Sequence, residues 1–204
     1  MKEEELTKGE RTCVEIIDAA HRLFIEQGYH GTSMRQIAEA AGIALGGIYN
    51  HFAGKEEIFE AVISAYHPYH DTLAALEKAP GDTVEEFVRN ATHLWMETMS
   101  TRKDFLNLMF IEIVEFESRH MPALFQEVFP KVVDFAKRIT SGRGNLRSIP
   151  MPVILRAFLG LFFSFFITEL LFGEVPPPEF REGALDHIID IFLYGILADE
   201  PSGA

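Results

Sequence analysis

Residues 32–55 read TSMRQIAEAAGIALGGIYNHFAGK and contain two short helical patterns separated by a glycine. Ser33 and Gln36, three residues apart, form a capping box that starts the first helix. Gly42 supplies the turn, since a tight turn between helices needs a residue that tolerates positive φ. Ile48 continues the apolar register into the second pattern. Two short helices joined by a glycine turn predict a helix-turn-helix, whose second helix can enter a major groove of DNA.

The sequence on both sides of this stretch also predicts helices. Apolar residues recur at helical spacing over 10–27, and Gly28 is expected to end that helix. No segment alternates in hydrophobicity over the length of a strand. We therefore predict an all-α chain of about nine helices, with a boundary near 66–80 between a compact N-terminal unit and a larger bundle. Beyond that boundary the helical patterns cover 83–100, 103–118, 122–140, 151–172 and 179–198.

The composition is that of a packed globular protein. Of 204 residues, 48% are hydrophobic and 24% are charged, which excludes a mainly disordered chain. Cys13 is the only cysteine, so no intramolecular disulfide can form, and its apolar helical setting predicts a core residue. The N-terminus has no apolar signal region. The apolar stretch 157–168 would span about 18 Å as a helix, less than the roughly 30 Å hydrocarbon core. A cytoplasmic protein is expected.

A longer stretch, residues 11–63, resembles the DNA-binding domain of the TetR (tetracycline repressor) family of transcriptional regulators. The resemblance implies a helix-turn-helix DNA-binding domain at 1–66 and a ligand-binding and dimerisation domain at 67–204. It also implies a homodimer that binds a roughly palindromic operator in double-stranded DNA. The motifs that carry it are Phe24-x3-Gly28-Tyr29, Thr32-Ser33-x-Arg35-x-Ile37-Ala38, Ala41-Gly42-Ile43, Ile48-Tyr49-x-His51-Phe52 and Lys55-Glu56-Glu57.

The same resemblance implies which residues seat the protein on the DNA backbone. Thr32 and Ser33 match the phosphate-contacting start of the first motif helix, and Tyr49, His51 and Lys55 match phosphate contacts around the recognition helix. Hydroxyl, imidazole and ammonium groups are suitable donors to phosphate. From the sequence alone, Tyr49 could instead lie in the core, His51 could cap the helix and Lys55 could be a solvated side chain.

Base-facing positions are implied for Leu45, Gly46 and Asn50, and Arg35 matches a position that reaches base edges or backbone. Arginine can pair bidentately with guanine and asparagine with adenine, although Asn50 could also be an ordinary polar surface residue. Gly46 and Gly47 allow close approach to DNA but offer little base-reading chemistry. With no capping side chain before Leu45, the glycine pair weakens the recognition helix by roughly 2 kcal/mol.

Charge limits how this surface can bind. The net charge of −13 argues against general adhesion to nucleic acid. Residues 1–66 hold six Lys or Arg against eleven Asp or Glu, whereas within 33–55 Arg35 and Lys55 face only Glu39. Arg35 could pair with Glu39 across one helical turn. We expect modest non-specific affinity for DNA and a shallow salt dependence.

The helices beyond residue 80 are rich in methionine and aromatic residues, which suit an adaptable apolar pocket. For any single one of them, however, a core role is favoured over a role in a pocket. Candidate ligand-binding residues are Trp95, Met96, Met99, Phe105, Met109, Phe110, Phe116, Phe162 and Phe166. The last two helices are expected to form the dimer interface that the resemblance implies, although both could pack inside one subunit. Their apolar positions are Phe158, Leu161, Phe162, Phe165, Phe166, Leu170, Leu185, Ile188, Ile189, Phe192 and Ile196.

Together these features predict a sequence-specific, ligand-responsive transcriptional regulator, a repressor that a small hydrophobic or amphipathic effector releases from its operator. No nucleophile–base pair or phosphate-binding loop is recognisable, so an enzyme is not predicted, and neither is a cofactor. His67, His70 and Asp71 have nearly the spacing of a metal site, but beside Pro68 a structural or hinge role is favoured over metal binding. The alternatives are an apolar-ligand carrier or sensor that does not bind DNA specifically, or a regulator that activates.

Overall fold

A computed structural model describes residues 7–140, 146–172, 175, 177 and 181–197, apart from the side chains of His70, Ala75, Lys103, Arg138 and Ile139. These residues form ten helices and no strand, which confirms the all-α prediction, and a separate helix after Pro68, α5, makes one more than about nine. The predicted helix ends at 179 and 198 lie outside the described residues. The helices are α1 (Lys8–Gly31), α2 (Met34–Ala40), α3 (Leu45–Ile48), α4 (Lys55–Tyr66), α5 (Tyr69–Leu76), α6 (Val84–Ser100), α7 (Lys103–Phe116), α8 (Met121–Thr140), α9 (Met151–Phe172) and α10 (Ala184–Ile196).

Helix α1 extends further than the apolar pattern predicted. It begins after Thr7, which forms a capping box with Glu10. Gly28 has the positive φ expected of it, 75°, but it kinks the helix rather than ending it, because one more turn continues to Gly31. The kink carries the chain towards Thr32 and the start of α2.

The helices form two compact units. The first contains the described residues up to Pro68 together with Arg102–Phe125, and the second contains Tyr69–Thr101 and the described residues from Gln126 onward. Helix α7 therefore groups with the N-terminal helices and packs on α1 and α4. Its apolar side supplies Leu108 and Phe116 to their core, so the first unit includes a helix from outside residues 1–66.

The core of the first unit is built on aromatic rings. Phe59 stacks on Phe116 with ring centroids 4.8 Å apart, and Tyr29 meets Phe116 edge-on at 4.7 Å. Phe24 packs against Phe59 at 5.4 Å. Edge-on and offset contacts of this kind add to the free energy gained by burying the rings. The cluster fixes α1, α4 and α7 behind the helix-turn-helix.

The second unit is held together by α6, α9 and α10. Trp95 of α6 lies edge-on to Phe158 and Phe166 of α9, at 6.4 and 6.2 Å between ring centroids. Phe162 of α9 is fully buried and meets Phe192 of α10 at 5.7 Å. These contacts explain why the aromatic residues of α9 are spaced at helical intervals.

The pairing face predicted for the last two helices needs correction. Phe162, Phe166, Ile189, Phe192 and Ile196 are buried inside the second unit, because α9 and α10 pack on each other and on α6. Of the predicted positions only Leu170 is among the large apolar residues that these helices expose. They are Val153, Leu159, Phe163, Leu170, Leu171 and Phe172 on α9, and Ile191 and Tyr194 on α10.

Helix α9 has the bounds that the sequence predicted, 151–172. With 22 residues the whole helix is long and apolar enough, by length and composition, to cross a membrane, whereas its apolar stretch 157–168 alone is shorter than a span. Arg156 and Glu169 lie within it as exposed side chains, while Ile154 and Phe162 are buried in the unit. The helix is thus a packed element of the unit that also exposes an apolar surface.

Candidate nucleic-acid interface

Helix α2 and the turn after it are set by local hydrogen bonds. The Ser33 hydroxyl accepts a hydrogen bond from the Gln36 N–H at 3.3 Å, and the Gln36 side chain accepts from the Ser33 N–H at 2.9 Å. This confirms the capping box. Gly42 has φ 70°, and the next N–H, that of Ile43, bonds the Ala38 carbonyl at 2.9 Å. The left-handed glycine thus reverses the chain towards α3.

Helix α3 is shorter than the recognition helix expected over 44–52. It covers Leu45–Ile48, and single turns follow, in which the Asn50 and His51 N–H groups bond the Gly47 and Ile48 carbonyls at 3.1 and 3.0 Å. The cap position, Ala44, offers no side-chain hydrogen bond. Helix α3 is short because no side chain caps its first turn and because glycine, which occupies two of its four positions, has a low helix propensity.

The two sides of the α3 segment differ in exposure, as an interface requires: one side is buried in the core and the other faces open space. Ile48 is fully buried and Phe52 is 8% exposed, so they anchor the segment to the core as predicted. Gly46 and Gly47 face open space, since a Cβ added to either would meet no protein atom within 4 Å. The glycine pair is therefore not required by packing inside the unit.

Five of the predicted contact side chains are exposed. Leu45 is 43% and Tyr49 53% exposed, so Tyr49 is not a core residue. Ser33, Arg35 and Asn50 are also exposed. In the part of the chain that the structure describes, neither the Arg35 nor the Asn50 side chain makes a hydrogen bond or ion pair, so Arg35 does not pair with Glu39.

Thr32 and Lys55 point into the unit instead. Thr32 is 2% exposed, and its hydroxyl donates to the Leu23 and Gly28 carbonyls. The Lys55 ammonium donates to the Tyr29 and Thr32 carbonyls, both at 2.6 Å. Burial lowers the pKa of Lys55, and nearby Glu115 opposes that shift. Both side chains hold the corner between α1 and α2 rather than standing free on the surface.

His51 is partly buried beside α1. Its Nδ1 lies 3.2 Å from the Sγ of Cys13, while its Nε2 has no hydrogen-bond partner among the described residues. Cys13 is likewise partly buried, packed against the edge of the core. The sequence predicted Cys13 only as a core residue, because its partner lies 38 positions away and no local pattern joins them.

The candidate ligand-binding residues are divided between the two units. Trp95, Met96, Met99, Phe162 and Phe166 lie in the second unit, where all except the partly exposed Met96 are buried. The other four, Phe105, Met109, Phe110 and Phe116, lie on α7 in the first unit. Phe116 is part of the aromatic core there, and Phe110 is 52% exposed.

The candidate metal site around Pro68 is only partly described. His67 lies edge-on to Phe105 in the first unit, with ring centroids 4.7 Å apart. The His70 side chain lies outside the described residues. Among the side chains that are described, no group of three could hold a metal ion.

Residues 16–62 match the family model of bacterial regulatory proteins of the tetR family. The chain is similar to the uncharacterized HTH-type transcriptional regulator YvkB of Bacillus subtilis (strain 168), with 27% identity over 90% of this chain and 96% of that protein. The N-terminal helices of the chain are therefore similar to the DNA-binding part of the tetR family. The HTH-type transcriptional regulator TtgR of Pseudomonas putida is 40% identical to this chain, over 33% of this chain and 32% of TtgR.

The fold of this chain is also that of solved structures. A protein of Mesorhizobium loti MAFF303099, described as a TetR-family regulator, matches with a TM-score of 0.73 and 22% identity, over 95% of this chain and 100% of that one. The likeness confirms the fold. Since the relatives are helix-turn-helix transcriptional regulators, the chain is a DNA-binding regulator and not an enzyme, as the sequence predicted.

Proposed function

We propose that this chain is a cytoplasmic, ligand-responsive repressor of the TetR family that binds a roughly palindromic operator as a homodimer. The observation that carries the proposal is the surface around α3, where exposed polar side chains flank a glycine pair that packing does not require. A surface of this kind lets a short helix approach the base edges closely while its neighbours hold the DNA backbone.

Each exposed residue has a role in this proposal. Arg35 and Asn50 have free donors and read bases, and Leu45 contacts an apolar base edge such as the thymine methyl group. The Tyr49 hydroxyl and the His51 imidazole donate to phosphates, whereas the Ser33 hydroxyl donates to the Gln36 side chain at 2.6 Å. Thr32 and Lys55 support these contacts from behind, because their polar groups are bonded within the unit.

The exposed apolar residues of α9 and α10 support dimerisation through the last two helices. Leu159 and Phe163 are one turn apart on α9, and Ile191 and Tyr194 are one turn apart on α10. Apolar surface of this extent on a soluble regulator indicates an interaction site. A second copy of the chain, related by two-fold symmetry, would cover the same surface on both subunits.

An apolar effector is proposed for the second unit. Trp95 and its aromatic neighbours, with Met96 and Met99, offer surfaces that rearrange at modest cost. A ligand that binds the unit best in a state with the wrong spacing of recognition helices shifts the population away from DNA. Trp95 is the only tryptophan, so its fluorescence reports this unit alone.

Selection of binding duplexes from a random pool, followed by fluorescence anisotropy, tests the proposal. The wild-type protein should prefer selected duplexes over random ones of equal length at every salt concentration. Tyr49→Phe should weaken binding to all duplexes alike, whereas Asn50→Ala should change the preferred base at one position. Absence of any preference over random duplex would sink the proposal.

The effector is tested with 1-anilinonaphthalene-8-sulfonate as a probe. Binding in the second unit should quench Trp95 by energy transfer and release the selected duplex over the same probe concentrations. Trp95→Phe serves as the control, because it should lose the quenching signal altogether and, as a change in the proposed binding surface, should weaken the release. A probe that binds without affecting the DNA complex contradicts ligand-responsive release by this class of compound.

A further inference from the structure

The contact between Cys13 and His51 has a chemical consequence for the proposed interface. The Sγ of Cys13 lies 3.2 Å from Nδ1 of His51, well within the range of a sulfur hydrogen bond. Both residues belong to the first unit, Cys13 on α1 and His51 in the turn that follows α3. Within the described residues this is the only hydrogen bond of either side chain.

A neutral imidazole has one donor nitrogen and one acceptor nitrogen, and the partner of one decides the role of the other. If the Cys13 thiol donates to Nδ1, the proton of the ring is on Nε2. If Nδ1–H donates to sulfur, Nε2 is an acceptor and the thiol hydrogen has no acceptor. The first arrangement satisfies both the thiol and Nδ1.

We propose that Cys13 is a positioning residue that holds His51 in the Nε2–H tautomer, so that the imidazole presents a donor to a DNA phosphate. A phosphate oxygen accepts hydrogen bonds, so an Nε2 lone pair would repel it and an Nε2–H binds it. The inference rests on the proposed function, since it deepens the role of His51 in DNA binding. It gives the single cysteine a task that an apolar core residue could not perform.

The backbone supports this role. The His51 N–H bonds the Ile48 carbonyl at 3.0 Å, so the residue is tied to the end of the recognition helix. On the opposite side, α1 carries Cys13 in a regular helix that is packed on the core. The ring is thus held between two fixed elements, and its tautomer is set before DNA arrives.

Nitrogen-15 NMR of the histidine side chains in the free, full-length protein tests the tautomer directly. The wild-type His51 ring should be protonated on Nε2 only. Cys13→Ala should give a mixture of tautomers, and Cys13→Ser should restore the Nε2–H form, because a hydroxyl also donates. A wild-type ring that is protonated on Nδ1, or a tautomer unchanged in Cys13→Ala, overturns the proposal. If Cys13 only filled space, Cys13→Ala would not produce a mixture of His51 tautomers that Cys13→Ser reverses.

Anisotropy with the selected duplex tests the consequence for DNA. Cys13→Ala should bind about fivefold more weakly than wild type, as for the loss of one hydrogen bond, and Cys13→Ser should bind nearly as wild type. In a His51→Gln background, whose amide is a donor without tautomers, Cys13→Ala should have no effect. An equal loss in both backgrounds overturns the proposal. Because the NMR result needs no DNA, failure of the proposed function and failure of this inference are distinguishable.

Discussion

The Lys55 ammonium lies 4.1 Å from the centroid of the Tyr29 ring and also donates to the Tyr29 carbonyl. A second hydrogen bond goes to the Thr32 carbonyl. The start of α4 is thereby fixed to the end of α1 and the beginning of α2, and both carbonyls gain a charged donor. The resemblance to TetR regulators implied a phosphate contact for this lysine, whereas its geometry is that of an internal clamp.

Lys55→Met should destabilise the protein. Two carbonyl groups in a partly buried setting lose a charged donor and the Tyr29 ring loses a cation, so the free energy of unfolding should fall by about 2 kcal/mol. Urea unfolding followed by circular dichroism measures the change. DNA affinity should fall as well, but the slope of affinity against salt concentration should change little, because the ammonium is bonded internally.

Arg35→Met is the matched control. Arg35 is an exposed cation of the same motif that makes no ion pair among the described residues. This variant should retain its stability and lose about one unit of the salt slope, as expected when one cation leaves the DNA backbone or base edge. If Lys55→Met leaves the stability unchanged and lowers the slope by the same amount, the lysine is a phosphate contact.

Gly47→Ala should separate the stability of the recognition helix from its fit to DNA. The glycine is helical, does not have positive φ and has open space where a Cβ would lie. Alanine should therefore raise the free energy of unfolding by roughly 0.5–1 kcal/mol. If close approach to DNA needs the bare backbone, affinity should fall by about tenfold, a loss of about 1.4 kcal/mol.

The control for this change is Gly9→Ala, at the start of α1. Gly9 is also helical, exposed and open to a Cβ. Its replacement should raise stability by a similar amount and leave DNA affinity unchanged. A Gly47→Ala protein that binds the selected duplex as tightly as Gly9→Ala would show that the glycine pair has no role in close approach.

The sequence predicted those features that depend on neighbouring residues. The capping box of Ser33 and Gln36 and the positive φ of Gly42 are local, and both are present. Contacts between distant positions had no such signal: Lys55 reaches Tyr29 across 26 residues, and Cys13 reaches His51 across 38. The hydrophobic pattern likewise could not distinguish the buried side of α9 from its exposed side, because both are apolar.

Ile191→Glu should disrupt the proposed homodimer. The side chain is 64% exposed on α10, and two-fold symmetry would bring carboxylates from both copies to one interface. Desolvation and repulsion between them should weaken dimerisation by about tenfold or more. Sedimentation velocity measures the dissociation constant. The control is Ile113→Glu, the same change at a residue 51% exposed on α7 in the other unit. Equal effects of the two changes would contradict the α9–α10 interface.

His21 makes the stability of the first unit depend on pH. Its ring stacks on Tyr66 at 3.7 Å and is 9% exposed, and its Nε2 has no hydrogen-bond partner among the described residues. Burial lowers the pKa of His21 below its ordinary 6.5, although Asp104 and Asp18 oppose the shift. The unfolded chain therefore binds a proton more readily than the folded one, and stability should fall as the pH decreases through 6.5.

His21→Phe should remove this dependence. Phenylalanine keeps the stack on Tyr66, leaves no buried nitrogen without a partner and does not titrate, so the free energy of unfolding should rise by about 1 kcal/mol. The difference in the free energy of unfolding between variant and wild type should grow as the pH falls from about 8 to about 5. Only the wild type has a buried histidine whose protonation destabilises the folded state. Urea unfolding at a series of pH values measures both curves, and changes at other titrating groups cancel in the difference. If the difference in the free energy of unfolding stays constant over this pH range, protonation of the buried His21 does not destabilise the folded protein in acid.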